Sequence, residues 1–108
     1  MLAEFSAGNT KDKNGNPTGG EVRGTGLRID WQNGPLGRDG DRIAPNGAFV
    51  ETVIASAKQR LAFYQDSKYK CVENQVALDH LEKALAALDS RTKKREEQKV
   101  EGLHEVHN

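Results

Sequence analysis

Residues 48–97 read AFVETVIASAKQRLAFYQDSKYKCVENQVALDHLEKALAALDSRTKKREE, and this stretch decides the fold. Apolar side chains recur in it at intervals of three and four residues, which gathers them on one face of a helix. The members are Val50, Val53, Ile54, Ala57, Leu61 and Tyr64, then Ala77, Leu78, Leu81, Ala84, Leu85 and Leu88. The polar connection at 66–70 between the two sets is short. The pattern therefore predicts two amphipathic helices folded into an antiparallel hairpin.

Residues 1–47 have a different composition, because ten of the eleven glycines and all three prolines lie there. Both residue types interrupt helices, so we expect turns, loops and short strands. Asn14-Gly15 is a strong signal for the turn of a β-hairpin. The alternation of apolar and polar residues over 22–31 predicts one half-buried strand, with an inward face formed by Leu27, Ile29 and Trp31.

A glycine-rich loop over 33–47 separates that strand from the helices. Loops of this length in small domains are uncommon and often functional. Asn46 has the short polar side chain that favours the N-cap of a helix, and Pro45 would prevent an earlier start. We therefore expect Asn46 to cap the first helix.

These patterns together predict the α+β class: a small N-terminal antiparallel β-sheet with loops, followed by a C-terminal antiparallel two-helix hairpin. The 108 residues favour a single domain, with a β/loop region at 1–47, the hairpin at 48–97 and a tail at 98–108. Two helices cannot enclose a core by themselves, and 35% of the residues are hydrophobic. We therefore expect the chain to form a homo-oligomer.

Sixteen basic and sixteen acidic residues give a net charge of zero, which argues against binding of long nucleic acids. No apolar run approaches the roughly 20 residues needed to span a membrane, and no signal peptide is visible. Cys71 is the one cysteine, so neither an internal disulfide nor a cysteine cluster for zinc can form. His104 and His107 with Glu105 are too few ligands for a convincing metal site. We expect a cytoplasmic protein with no metal and no cofactor.

Two groups of residues carry binding chemistry. Arg91 and Arg95 lie one helical turn apart at the end of the second helix, where they form either a solvated charged end or a phosphate-binding pair if several copies meet there. Tyr64 and Asn74 flank the bend of the hairpin. They either complete the core and cap the next helix, or stack on a nucleobase and hydrogen-bond its edge.

The second helix and the tail fit the pattern ENxxAxxxLExALxxLxxRTxxRExxxVEGxHE from Glu73 to Glu105. Together with GLRIDWQNGPLG (26–37) and PNGAFVETVIASAKQRLAFYQ (45–65), this pattern resembles the phage hairpin family of Thoeris anti-defence and anti-CBASS proteins. The resemblance covers some 70 residues and is closest to the longer, Thoeris-type members.

The resemblance implies a non-enzymatic, phage-encoded sponge that acts in the cytoplasm of the host bacterium. Its ligands would be cyclic ADP-ribose isomers or cyclic di- and trinucleotides, bound between the protomers of dimer-based assemblies, often hexamers. It would place Tyr64 and Asn74 in the pocket for ADP-ribose-type or dinucleotide ligands. Arg91 and Arg95 would line a separate site where three chains converge on a cyclic trinucleotide.

The glycine-rich loop at 33–47 is suited to closing over such a pocket, and Trp31, Arg38 and Asn46 are its candidate supporting residues. Three positions depart from the family pattern. Val72 stands where an arginine is familiar, His80 where a basic residue is frequent, and Ala87 where a tryptophan is frequent. These changes bear on ligand range and assembly.

Two other functions are possible alternatives. A structural or adaptor protein would use the apolar helix faces for oligomerisation or for binding a partner helix. A hydrolase of cyclic nucleotides would need an organised base or a metal, and the sequence shows a motif for neither.

Overall fold

The computed structural model describes residues 1–37 and 39–97 of the chain. They form two compact units, residues 1–49 and residues 50–97. The first unit is a three-stranded antiparallel sheet and the second a pair of helices, which confirms the predicted α+β class. Arg38 lies outside the described residues, as does the tail 98–108 with His104 and His107.

The sheet consists of β1 (Phe5–Lys11), β2 (Pro17–Gly24) and β3 (Leu27–Asp30), in the order β1-β2-β3. The β1–β2 hairpin turns at Asn14-Gly15, as the sequence predicts, and Gly15 has a φ of +81°. The carboxylate of Asp12 stabilises this turn by accepting hydrogen bonds from the backbone N–H groups of Asn14 (2.8 Å) and Asn16 (3.0 Å).

The prediction of one continuous strand over 22–31 is wrong. The chain reverses at Thr25-Gly26, so that Gly24 pairs with Leu27 and residues 27–30 run back along β2. Gly26 has a φ of +70°, a conformation that glycine adopts without strain and that two-residue hairpin turns require. Ile29 is half-buried as expected, but Leu27 is exposed because it opens the new strand.

The loop that follows β3 returns to the end of that strand. Trp31 forms a parallel bridge with Ala48, and the Ala48 N–H donates to the Asp30 carbonyl at 2.8 Å. Gly47 lies against this bridge so closely that a Cβ there would be 2.5 Å from the carbonyl carbon of Trp31. The bridge therefore requires glycine at position 47.

The helices are α1 (Val50–Gln65) and α2 (Val72–Glu97), joined by residues 66–71. The hairpin is thus confirmed, but the expectation that Asn46 caps α1 is wrong, because α1 begins four residues later at Val50. The Asn46 side chain does not cap the helix because it is hydrogen-bonded to the loop: Oδ1 accepts from the Asn33 N–H (2.8 Å) and Nδ2 donates to the Asn33 carbonyl (3.1 Å).

The packing of the two helices follows the apolar pattern. In α2 the half-buried side chains include the whole predicted set, Ala77, Leu78, Leu81, Ala84, Leu85 and Leu88. In α1 they include Val53, Ile54 and Leu61, whereas three members of the predicted set are exposed: Val50 and Tyr64 at the two ends, and Ala57 in the middle. No side chain in either helix is fully buried within the single chain. Among the described residues, no helix is long and apolar enough to cross a membrane.

Candidate functional site

The bend of the hairpin is held by hydrogen bonds of two side chains, Gln65 and Ser67. The Gln65 amide donates from Nε2 to the Cys71 carbonyl (3.0 Å), and its Oε1 accepts from the Cys71 N–H (2.9 Å). The Ser67 hydroxyl adds a 2.6 Å bond to the Tyr64 carbonyl. The end of α1 and the start of α2 are therefore fixed relative to each other.

Tyr64 and Asn74, here called the bend pair, lie on either side of this connection. Tyr64 is one residue before the end of α1 and its ring is partly exposed. Asn74 lies in the first turn of α2 and is half-buried. A phenol ring can stack on a base, and an amide offers both a donor and an acceptor to a base edge. The structure places both groups at one end of the hairpin, and their role in binding stays a prediction.

Two neighbours on α1 surround the Tyr64 ring. The Arg60 Cζ lies 4.9 Å from the centroid of the Tyr64 ring and 5.1 Å from that of Phe63, and the Arg60 Nε donates to the Tyr64 hydroxyl at 3.2 Å. Neither Arg60 nor Phe63 is among the site residues predicted from the sequence. The three- and four-residue spacing from Arg60 to the two rings is the signal that would have found this cluster.

Arg91 and Arg95, here called the arginine pair, lie one turn apart near the C-terminal end of α2. Arg91 lies seventeen positions after Asn74, which is about 26 Å along a helix. Arg91 reaches across the hairpin to the first turn of α1, where its Nη2 is 3.5 Å from the Glu51 Oε1. Arg95 is half-buried and also has an interaction partner. The two candidate sites are therefore separate.

Trp31 and Asn46, the other predicted site residues, lie in the sheet unit. Trp31 is half-buried, and its backbone N–H donates to the Gly20 carbonyl at 3.0 Å. Both functional groups of the Asn46 side chain hold the backbone of Asn33, and the Asn46 N–H donates to the Gln32 Oε1 at 2.8 Å. Asn46 thus organises the loop. Ligand binding by Trp31 and Asn46, and by Arg38 outside the described residues, stays a prediction.

A charged cluster on β2 and β3 supports the sheet. The Arg23 guanidinium donates to Asp30 (2.6 Å) and also pairs with Glu21 (3.1 Å). The hydrogen bond from Arg23 lowers the pKa of Asp30, and a further bond from Arg28 adds to this effect. The hydrogen bond to Asp30 in turn raises the pKa of Arg23. Because the Arg23 guanidinium is engaged with these carboxylates, we interpret this cluster as structural.

Comparison with known proteins assigns the chain to a family. The family model described as Acb2/Tad1, hairpin domain matches residues 24–93, more than half of the chain, including Tyr64, Asn74 and Arg91. Thoeris anti-defense 1 of Bacillus phage SBSphiJ7 is 40% identical over 77 residues, which cover 71% of this chain and 51% of that protein. The chain thus spans about half the length of this relative. Since the match covers β3, all of α1 and most of α2, the chain belongs to the Acb2/Tad1 hairpin-domain family.

Proposed function

We propose that the chain is a phage-encoded sponge that binds cyclic nucleotide immune signals without cleaving them. The signals would be cyclic ADP-ribose isomers, cyclic dinucleotides or cyclic trinucleotides, and their capture would inhibit Thoeris defence, CBASS defence or both in the host cytoplasm. Membership of the Acb2/Tad1 family and the similarity to Thoeris anti-defense 1 support this function. One observation carries it: a single hairpin bears two separate sets of side chains whose chemistry suits a nucleotide, Tyr64 with Asn74 at the bend and Arg91 with Arg95 near the other end of α2.

The bend pair is the proposed site for ADP-ribose-type or dinucleotide ligands. Tyr64 would stack on a base, a contact worth about 1–3 kcal/mol for each base in other proteins. Asn74 would hydrogen-bond the base edge and so favour one base over another. The clamp between Gln65 and Cys71 would support both, since it fixes the backbone between them before a ligand arrives.

The arginine pair is the proposed site for a cyclic trinucleotide. In one chain, Arg91 faces a carboxylate, and two arginines cannot surround a ligand with three phosphates. Three copies around a symmetry axis would supply six guanidinium groups, whose planar forks match phosphate oxygens. The predicted site is therefore complete only in an oligomer.

Exposed apolar side chains support the proposed oligomerisation. Val50 and Phe63 on α1 are 48% and 55% exposed, and Val72 and Val76 on α2 are 74% and 48% exposed. Full burial of such a side chain contributes roughly 1.5–3 kcal/mol. A dimer-based assembly, with a hexamer as the expected form, would cover these side chains with other copies of the hairpin.

A sponge acts by mass action and needs no catalytic group. It lowers the concentration of the free signal when its own concentration exceeds both that of the signal and the Kd, and slow dissociation prolongs the effect. Exclusion of water from a site between protomers would strengthen each arginine–phosphate contact and slow release.

The direct test is to recover the ligand. The purified full chain is incubated separately with cyclic ADP-ribose isomers, cyclic dinucleotides and cyclic triadenylate, freed of unbound ligand, and denatured by heat. Mass spectrometry then identifies what is released, and analytical ultracentrifugation gives the oligomeric state. We expect intact ligand and an assembly larger than a monomer.

Other outcomes would contradict the proposal. Recovery of a linear or hydrolysed product would show an enzyme. Retention of none of these ligands would favour an adaptor protein, a function that the exposed valines of α2 would also serve.

A further inference from the structure

Arg60 is the centre of an ordered cluster beside the bend pair. It lies three residues before Phe63 and four before Tyr64, so one helical turn brings its side chain against both rings. The two ring centroids are 6.1 Å apart with an angle of 55° between their planes, and the Arg60 Cζ lies about 5 Å from each centroid. Cation–π attraction and the bond from Nε to the Tyr64 hydroxyl hold the guanidinium in place.

Among the described residues, Arg60 differs from three other cations that pair with carboxylates. Lys58 pairs with Glu82, Arg91 with Glu51, and Arg23 with Asp30. In the chain as described, residues 1–37 and 39–97, no carboxylate forms an ion pair with Arg60. Aromatic rings therefore orient Arg60 without neutralising it, and the residue is exposed. An oriented guanidinium with its charge still available is suited to binding an anion.

We propose that Arg60 is a further ligand-binding residue at the bend, where it contacts a phosphate of the nucleotide whose base stacks on Tyr64. This inference rests on the proposed function and adds to it the recognition of phosphate. A nucleotide carries its phosphate one ribose away from its base, so a stacking ring with an adjacent guanidinium matches both ends of the ligand. Nε is engaged with the Tyr64 hydroxyl, and the two Nη groups would donate to phosphate oxygens.

The aromatic contacts also lower the cost of binding. An unrestrained arginine loses side-chain entropy when it binds a phosphate, and part of that loss has already occurred in a side chain held by two rings. Phe63 would act as a positioning residue, because it lies against the guanidinium and keeps it beside Tyr64. The same contacts orient the Tyr64 ring for stacking.

Binding assays on the full-length protein test the inference with two probes. Cyclic ADP-ribose, which carries a pyrophosphate, reports on the bend, and cyclic triadenylate reports on the arginine pair and on intact assembly. Arg60→Ala should weaken binding of cyclic ADP-ribose about tenfold to hundredfold, the usual effect of losing a hydrogen bond to a charged group. Arg60→Lys should recover part of the loss, because it keeps the charge but lacks the fork. Binding of cyclic triadenylate should stay within twofold of wild type.

Lys68→Ala is the matched control, since Lys68 is another exposed cation of the bend and lies 5.2 Å from the centroid of the Tyr69 ring. It should leave both affinities within twofold of wild type. The dependence on salt separates phosphate binding from mere support of Tyr64. Between about 50 and 500 mM salt, wild-type affinity for cyclic ADP-ribose should fall more steeply than that of Arg60→Ala, because the variant has lost a charged contact.

Three results would overturn the inference. The first is an Arg60→Ala affinity for cyclic ADP-ribose within twofold of wild type while Tyr64→Ala abolishes binding. The second is an equal loss for both probes, which would show a general effect on fold or assembly. The third is the same salt dependence in wild type and Arg60→Ala, which would limit Arg60 to holding Tyr64. If the wild-type protein binds cyclic triadenylate but not cyclic ADP-ribose, the inference fails and the proposed function stands; if it binds neither probe nor any cyclic dinucleotide, both fail.

Discussion

The sheet unit (residues 1–49) and the hairpin (residues 50–97) are held together by different interactions. In the sheet unit, backbone groups and short polar side chains satisfy one another within the chain, as the two-way bonding between Asn46 and Asn33 shows. In the hairpin, apolar side chains meet along one face of each helix, yet none is fully buried. The two units thus differ in the kind of contact that holds them, polar in the sheet unit and apolar in the hairpin, but both leave large apolar side chains exposed, such as Phe5 (58%) in the sheet unit and Phe63 (55%) in the hairpin.

The largest effect is expected from substitutions in the hairpin, at the arginine pair. Arg91→Ala combined with Arg95→Ala should weaken binding of cyclic triadenylate at least about 100-fold, because each arginine removed from one chain is removed from every copy around the ligand. Binding of cyclic ADP-ribose should change less than about threefold, since the bend lies about 26 Å away along α2. Isothermal titration calorimetry with both ligands measures the two effects.

Lys93→Ala combined with Lys94→Ala is the matched control for that experiment. It removes the same number of positive charges from the same turns of α2, and Lys93 pairs with Asp89 on its own helix. If the lysine variant loses cyclic triadenylate as strongly as the arginine variant, general charge and not the arginine pair holds the ligand. Equal loss of both ligands in the arginine variant would contradict the assignment of two sites.

The second prediction concerns the stability of the sheet unit. Gly47→Ala should lower the free energy of unfolding by about 1–3 kcal/mol, because its methyl group would meet the carbonyl of Trp31 and force the bridge to Ala48 apart. Trp31 is the single tryptophan, so its fluorescence during urea unfolding reports directly on the affected contact. Gly40→Ala is the control, since a Cβ there would meet nothing within 4 Å. Equal stability of the two variants would show that the bridge adds little.

The sequence predicted the helices better than the sheet, for a physical reason. The apolar period of a helix repeats over many residues and is therefore easy to detect in a sequence. Every residue of the apolar set predicted for α2 is half-buried in the structure. A strand of four residues such as β3 repeats its pattern twice at most. The reversal at Thr25-Gly26 depends on one positive φ at Gly26, and the glycines of this region gave several possible turn positions.

The candidate site shows the same limit. Tyr64, Asn74, Arg91 and Arg95 could be singled out because helical spacing and family resemblance fix their positions along the chain. Asn46 could be recognised as a special position, but its part in the loop could not, because its partner Asn33 is 13 residues away and no local pattern specifies that contact. The Glu51–Arg91 contact joins residues 40 positions apart, and for the same reason it could not be predicted from the sequence. Long-range polar contacts depend on tertiary structure, which a single sequence does not display.

A smaller effect is expected from removing the charge of Glu51, the partner of Arg91. Glu51 lies 3.5 Å from Arg91, so at the proposed site it would compete with a phosphate for the same guanidinium. Glu51→Gln should therefore raise the affinity for cyclic triadenylate by up to about fivefold, since partly exposed ion pairs contribute roughly 0–1 kcal/mol. Fluorescence-based titration of labelled ligand measures the change.

Glu82→Gln is the control for Glu51→Gln, because it breaks the ion pair with Lys58 elsewhere between the same helices. It should leave the affinity for cyclic triadenylate unchanged. A fall in affinity in Glu51→Gln would reverse the interpretation, since Glu51 would then orient Arg91 for the ligand.

The smallest expected effect concerns the pH dependence of the sheet unit. Hydrogen bonds from Arg23 and Arg28 hold the pKa of Asp30 below its ordinary value of 3.8. The unfolded chain therefore binds a proton at Asp30 more readily than the folded chain does. The resulting stabilisation is fully present above the unfolded pKa and is lost as the pH falls below 3.8 and through the lower folded pKa.

Urea unfolding of Asp30→Asn, followed by Trp31 fluorescence between about pH 6 and pH 2, measures this effect. The free energy of unfolding should decline less steeply with falling pH in this variant than in wild type. Arg23→Gln should remove most of the same decline and Arg28→Gln less of it, because Arg23 provides the larger effect. An identical decline in wild type and Asp30→Asn would show that the pair contributes nothing to the pH dependence, and the sheet unit would then rest on its backbone and amide contacts alone.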